Sequence, residues 1–379
     1  MSVLMRSRKN VPTGFRKILY FHWPLALLLT AVSSAGFLML FSVSGGIFSQ
    51  WAEPQMMRFG IGFIAMILIG FTPISVWRNL SVPAYVFGLA LLIFVEYFGA
   101  SSKGAQRWID LGFMKLQPSE LMKISLVMVI ALYYDWLDEE RVSKLLWLMP
   151  PLLLTALPMA LVLAQPDLGT AILLAGGSGV VMLLAGVSLW YFGGALASIG
   201  ALVWAVIWSK GTEFQLLKDY QYRRIETYLD PSSDPLGSGY NITQSKIALG
   251  SGGYSGRGFM EGTQSRLNFL PEKQTDFIFT TLAEEFGFVG GITLLILYVL
   301  IVVCCFVSAV QNPNRYASLL TLGVAATFFF YFSVNMLMVM GLAPVVGVPL
   351  PLVSYGGSAM LVLLGAFGLV QSAHIHRPR

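Results

Sequence analysis

Apolar runs near 20 residues long, cut by short polar connections, follow one another through most of the chain. A helix rises about 1.5 Å per residue, so a run of about 20 apolar residues crosses the roughly 30 Å hydrocarbon core of a bilayer. Such runs are expected at 21–43, 59–76, 82–98, 118 to a charged loop at 135–144, 146–163, 169–186, 189–208, 277–307, 317–341 and 359–373. The pattern predicts an all-α integral membrane protein, a single polytopic domain over 1–379 built as a bundle of about ten transmembrane helices. Two connections are long and polar, at 101–117 and 209–276.

Lysine and arginine orient the bundle. With the tail bearing Arg6, Arg8, Lys9, Arg16 and Lys17 inside, Arg78, Arg141, Lys144, Arg315, Arg377 and Arg379 also fall inside. Only Lys103, Arg107 and Lys115 then oppose the rule. Both termini are therefore expected in the cytoplasm, with 209–276 forming one large extracytoplasmic loop. Within it, 214–229 places Phe214, Leu217, Ile225, Tyr228 and Leu229 near one helical face, suited to the outer headgroup plane. A short helix is expected next, then Gly250, Gly252, Gly253, Gly256 and Gly258, which suit either a flexible loop or a backbone nest for a phosphate.

Composition agrees. Of 379 residues, 56% are hydrophobic and 11% charged, against about 25% charged in soluble chains; the mean hydropathy is +0.71. The net charge of +5 is spread along the chain, which points to topology and membrane lipids rather than nucleic acid. Cys304 and Cys305 are adjacent in an apolar run, without metal-ligand spacing or a disulfide framework. The first apolar run is too long for a cleavable signal and reads as a retained anchor.

The candidate chemistry is polar residues where lipid makes them expensive. The stretch 261–291 carries Glu272, Lys273, Asp276, Glu284 and Glu285 from a loop into an apolar run. A carboxylate at mid-bilayer costs roughly +2.5 to +3.5 kcal/mol, so each is a functional candidate. Segment 103–123 combines Arg107, Trp108, Lys115, Glu120 and Lys123 around Pro118. It reads either as a capped helix start with a Glu120–Lys123 pair, or as cations near a headgroup that hold a pyrophosphate. Asp167 precedes an expected span and suits a helix cap, and Asn335 suits a hydrogen bond across helices. His22, His374 and His376 form no metal triad.

The segments 103–124, 165–170, 234–253, 262–287 and 344–358 together resemble, in order, the SEDS family of membrane peptidoglycan glycosyltransferases, its rod-elongation branch more than its division branch. The resemblance implies the SEDS fold in the bacterial cytoplasmic membrane and polymerisation of lipid II into glycan strands at the outer face. It places the family's key aspartate on Asp276 and its span-four acid and lysine on Glu120 and Lys123. It also implies a class B penicillin-binding protein as partner. Inverting formation of a β-1,4 bond needs a base for the acceptor hydroxyl and cations for the departing pyrophosphate. Asp276 is the candidate base, and Arg107, Lys123 and Lys273 the candidate cations; Trp108, Glu120, Gln274 and Asp167 complete the expected substrate contacts. A divalent cation, Mg or Mn, bridging Asp276 or Glu120 to phosphate oxygens is compatible with this set. Glu284 and Glu285 are expected to brace helices, and 354–357 to be architectural or to line the site. The rival readings are a flippase or transporter for the same lipid, which needs a polar path through the bilayer, and a scaffold in which Asp276 is dispensable.

Overall fold

The computed structural model describes residues 14–102, 105–110, 112, 115–210, 215, 222, 226, 230, 238–267, 269–270 and 272–378. The headgroup-plane segment expected at 214–229 lies almost wholly outside these residues, as do Arg6, Arg8, Lys9 and Lys103. The helices are α1 (Trp23–Val43), α2 (Ala52–Phe71), α3 (Ile74–Phe98), α4 (Pro118–Trp136), α5 (Leu145–Ala164), α6 (Leu168–Leu184) and α7 (Leu189–Trp208). They continue with α8 (Ser238–Ser251), the short α9 (Thr263–Arg266), α10 (Ile278–Val310), α11 (Arg315–Val339) and α12 (Gly357–Ile375). Among the described residues, eight helices are long and apolar enough to cross a bilayer: α1, α2, α3, α5, α7, α10, α11 and α12. The two other helices at expected spans are α4, which carries Glu120, Lys123 and Asp135, and α6, which has 17 residues.

Two expected boundaries move. The second and third runs begin earlier than their apolar cores, at Ala52 and Ile74, so Arg78 lies inside α3 instead of in a turn. There it pairs with Asp135 of α4 at 2.8 Å, and Asp135 also accepts from the Tyr316 N–H that opens α11. The polar segment 101–117 forms a small antiparallel sheet, with β1 (Ala100–Ser102), β2 (Ala105–Asp110) and β3 (Lys115–Leu116) in that order.

Packing centres on α11, which touches α10, α6, α4 and α12, while α12 lies against α2. An aromatic cluster holds that centre. Tyr298 of α10 stacks on Phe332 of α11 with centroids 4.8 Å apart, and Phe328 meets Phe367 of α12 edge-on at 5.3 Å. By contrast, no residue of α7 is buried; its apolar surface belongs against lipid.

The long run at 277–307 is two helical pieces, interrupted at Gly287 (φ +65°, ψ −159°). A break inside a span strands carbonyls before it and N–H groups after it, each costing several kcal/mol in lipid. The glycine-rich loop after α8 supplies the missing partners. Arg257 and Gly258 donate to the carbonyls of Glu284 and Glu285 (both 3.0 Å), and Phe288 and Val289 donate to Gly253 and Tyr254 (2.9 and 3.2 Å). This approach requires glycine at Gly256 (φ +83°) and Gly287, because a Cβ at either would meet the opposing backbone. The loop is thus a clamp on the broken helix; its N–H groups at 257 and 258 are taken by protein carbonyls, in place of the phosphate nest or flexible loop read from the sequence.

Gly256→Ala and Gly287→Ala should each destabilise the protein. The left-handed backbone alone costs a side chain about 1–3 kcal/mol, before the clash. Gly250→Ala, with open space around it, should leave thermal unfolding in detergent unchanged.

Candidate functional site

A cavity of about 430 Å³ opens where four helices begin. Gln117 and Glu120 line it from the start of α4, Asp167 and Thr170 from the start of α6, Thr275 and Asp276 from the approach to α10, and Gly356–Ala359 from the start of α12. Each helix N-terminus carries the equivalent of roughly half a positive charge with unsatisfied N–H groups. Four of them around one cavity favour an anion, beneath Arg107, Trp108 and Lys115 of the small sheet.

The carboxylates on the wall have different occupations. Glu120 is 7% exposed; its Oε1 takes the Lys123 ammonium at 2.8 Å and the Tyr331 hydroxyl at 3.1 Å. Lys123 (4% exposed) also lies over the Tyr331 ring, 4.1 Å from its centroid. Asp167 caps α6, its Oδ1 accepting from Thr170 N (3.1 Å) and its Oδ2 from Thr170 Oγ1 (2.9 Å), with Gln117 Nε2 at 3.4 Å. Glu272 sits at φ +60°, a conformation that costs a side chain of order 1–3 kcal/mol; its Oε2 accepts from Thr275 Oγ1 at 3.1 Å.

Asp276 is half-buried on the same wall, facing the loop at Gly347. Its backbone and the two carbonyls before it are held from outside the turn. Asn335 Nδ2 donates to Asp276 O at 2.8 Å and to Val348 O at 2.6 Å. Ser354 Oγ donates to Thr275 O at 2.5 Å, and Tyr355 N to Gln274 O at 2.9 Å. Ser354–Gly357 therefore serve architecture through Ser354 and line the cavity through Tyr355, Gly356 and Gly357.

The structure brings together Asp276, Glu120, Asp167, Arg107 and Trp108. Arg107 is fixed beside the cavity by Nε donating to Gln165 O (2.8 Å) and Nη2 to Pro166 O (2.6 Å). Three expected contacts stand elsewhere. Lys123 lies behind Glu120, lining a smaller recess, because the acid in its own first turn claims it. Lys273 points to the other side of the turn and donates to Ser265 O at 2.7 Å, where burial lowers its pKa. Gln274 enters the architecture through its backbone carbonyl. Glu284 and Glu285 are buried braces: Glu284 Oε1 accepts from Thr263 Oγ1 (2.9 Å) and Gln264 N (3.1 Å), and Glu285 accepts from the Ser42 hydroxyl.

Sequence reasoning assigned no site role to Tyr331 or the Gly347–Pro349 wall, and named Glu272 only as one of the costly acids of 261–291. A signal for Tyr331 existed: it stands four residues before Asn335, on the same face of α11, and a phenol in an apolar span needs a hydrogen-bond partner.

Removing one partner of the buried pair should cost far more than removing the cap. Lys123→Met should destabilise by roughly 3–5 kcal/mol by leaving Glu120 unpaired, and adding Glu120→Gln should restore much of the loss. Asp167→Ala should cost about 1 kcal/mol. Thermal unfolding in detergent reads all three.

Comparison with known proteins agrees with this architecture. The peptidoglycan glycosyltransferase MrdB of Escherichia coli K12 is 42% identical over 359 residues, 93% of either chain. A solved chain from a peptidoglycan synthase complex that coordinates polymerization and crosslinking superposes with a TM-score of 0.81 at 31% identity, covering 93% of this chain and 97% of that one. The rod shape determining protein RodA of Thermus thermophilus superposes at 0.71 and 28% identity, covering 95% and 98%. Residues 22–379 match the family described as Cell cycle protein, which groups FtsW, RodA and SpoVE, and the chain belongs to that family.

Proposed function

We infer that this protein is a peptidoglycan glycosyltransferase of the multi-pass membrane type, and that it polymerises lipid II at the outer face of the cytoplasmic membrane. The observation that carries the reading is the juxtaposition of Asp276, held by its backbone, with four helix N-termini in one cavity. The similarity to MrdB over nearly the whole chain supports the reaction class.

The transfer makes one bond and breaks one. The acceptor sugar hydroxyl attacks the anomeric carbon of the donor, and the bond from that carbon to the pyrophosphate oxygen breaks with inversion. The hydroxyl proton passes to the Asp276 carboxylate. Negative charge grows on the leaving pyrophosphate, and the helix ends at α4 and α12 with the Arg107 guanidinium, all on the cavity wall, would stabilise it. Lys123 acts at one remove, by neutralising Glu120 so that the cavity floor does not repel the anion.

A divalent cation, if bound, would draw on Asp276 and Glu272, which line the cavity from one turn. Glu120 and Asp167 are engaged with Lys123 and the α6 cap. Magnesium is commonly held by one or two carboxylates plus substrate phosphates, and there it would neutralise the leaving group.

The orientation supporting the outer face is the lysine and arginine distribution: the Arg78, Arg141, Arg315 and Arg377 end lies opposite the cavity. Likeness to the Thermus rod shape protein supports a role in elongation, and likeness to the synthase complex supports assembly with a class B penicillin-binding protein that crosslinks the strands. The flippase reading is disfavoured because the charged groups of the cavity gather at one end of the bundle.

Asp276→Asn should abolish glycan formation from labelled lipid II, read on a gel of products with the partner present, while insertion and thermal unfolding stay near wild type. Normal chain formation by that variant would remove Asp276 as the base.

A further inference from the structure

Among the described residues, none from α2 lines the cavity, yet α2 grips the segment that holds the base. The buried face of α2 is Ala52, Gln55, Gly62, Met66 and Gly70, on which Gln55 is the single polar side chain. Its glycines let α12 close in: a Cβ at Gly62 would meet Leu364, and one at Gly70 would meet Gln371.

At the outer end of that contact, Gln55 (1% exposed) reaches the loop that leads into α12. Its Nε2 donates to Ser354 O at 2.9 Å, and its Oε1 accepts from Gly356 N over a longer 3.4 Å. The amide therefore holds both neighbours of Tyr355. One turn further along α2, the Arg58 guanidinium lies over the Tyr355 ring, 4.7 Å from its centroid. A buried amide is costly unless its bonds are made, so this grip is firm.

Ser354 and Tyr355 are the residues that restrain the base. Ser354 Oγ donates to Thr275 O, and Tyr355 N donates to Gln274 O. From Gln55 to the turn bearing Asp276, the path crosses one residue and two hydrogen bonds. A base displaced slightly loses rate, whereas the grip on the pyrophosphate rests on other groups. Resting on the reaction proposed above, we propose that Gln55 is a positioning residue for glycan transfer. By holding Ser354 and Gly356 from a neighbouring helix, it sets the place of the Asp276 carboxylate relative to the acceptor hydroxyl without touching substrate.

The test is steady-state glycan formation from lipid II by the full-length protein with its partner, with kcat expressed per folded molecule. Gln55→Met nearly keeps the volume and removes both bonds; it should lower kcat about tenfold while KM stays within about twofold. Gln55→Asn keeps the amide but withdraws it by one methylene, and should show the same split by a milder change. Met66→Ala, on the same buried face but away from the loop, should lower the thermal midpoint in detergent and leave kcat unchanged, which separates positioning from stability. Combining Gln55→Met with Ser354→Ala should lower kcat by less than the product of the single effects, because both act through one residue. A wild-type kcat in both Gln55 variants, or a raised KM with kcat unchanged, would overturn the assignment. Single effects that multiply fully would overturn the route through Ser354. Absence of glycan from the wild type would overturn the proposed reaction itself, an outcome that no Gln55 variant can mimic.

Discussion

Three consecutive carbonyls, those of Gln274, Thr275 and Asp276, each accept a hydrogen bond from a distant part of the chain. The rest of the site depends on that restraint. A general base is useful only if its carboxylate keeps its place relative to the reacting hydroxyl, and a small displacement can cost a hundredfold in rate. Fixing the carbonyls leaves the Asp276 side chain directed by backbone that cannot drift. The donors are well chosen for rigidity: Asn335 is fully buried in α11, and Ser354 is locked further by accepting from Leu350 N at 2.7 Å. Gln55 of α2 in turn donates to Ser354 O at 2.9 Å, tying the restraint to the helix packed on α12.

Electrostatics resolve an apparent conflict on the cavity wall. Four acids and two bases line it, which alone would repel a pyrophosphate. Glu120 is countered by Lys123, and Asp167 is spent on the α6 cap. What an anion then meets is the N-terminal ends of α4, α10 and α12 with Arg107 and Lys115, fixed dipoles and charges that need no reorientation to receive it. Asp276 and Glu272 line the same cavity from one turn, a placement that geometry makes visible and composition does not.

Much of this was legible in the sequence. Apolar runs located the helices of the bundle, since lipid enforces helix wherever backbone crosses it, and the cost of charge in lipid singled out Asp276, Glu120, Lys123 and the two adjacent glutamates. The capping geometry of Asp167 and the bond of Asn335 across to another element also follow from local chemistry. Other features depend on what the chain meets in three dimensions. Gly287 sits within the run 277–307, two residues after Glu285, and nothing nearby in sequence reveals that the 252–258 loop will replace its lost hydrogen bonds. Lys273 lies three residues from Asp276 but on the opposite face of a turn whose path is set by Glu272 at positive φ. Tyr331 reaches the cavity from α11 and Tyr355 from the loop that precedes α12, and only packing brings them to Asp276.

The central claim is that Asp276 serves the chemical step, while the helix ends and Arg107 serve binding of the anionic substrate. Equilibrium binding of fluorescent lipid II to wild type and Asp276→Asn separates these roles most directly. The expected result is that, with divalent cations chelated, the variant binds as tightly as wild type or more tightly, since a negative group beside the pyrophosphate is removed, while yielding no glycan when they are restored. Loss of binding in step with loss of polymer would contradict the claim and make Asp276 part of the substrate grip instead.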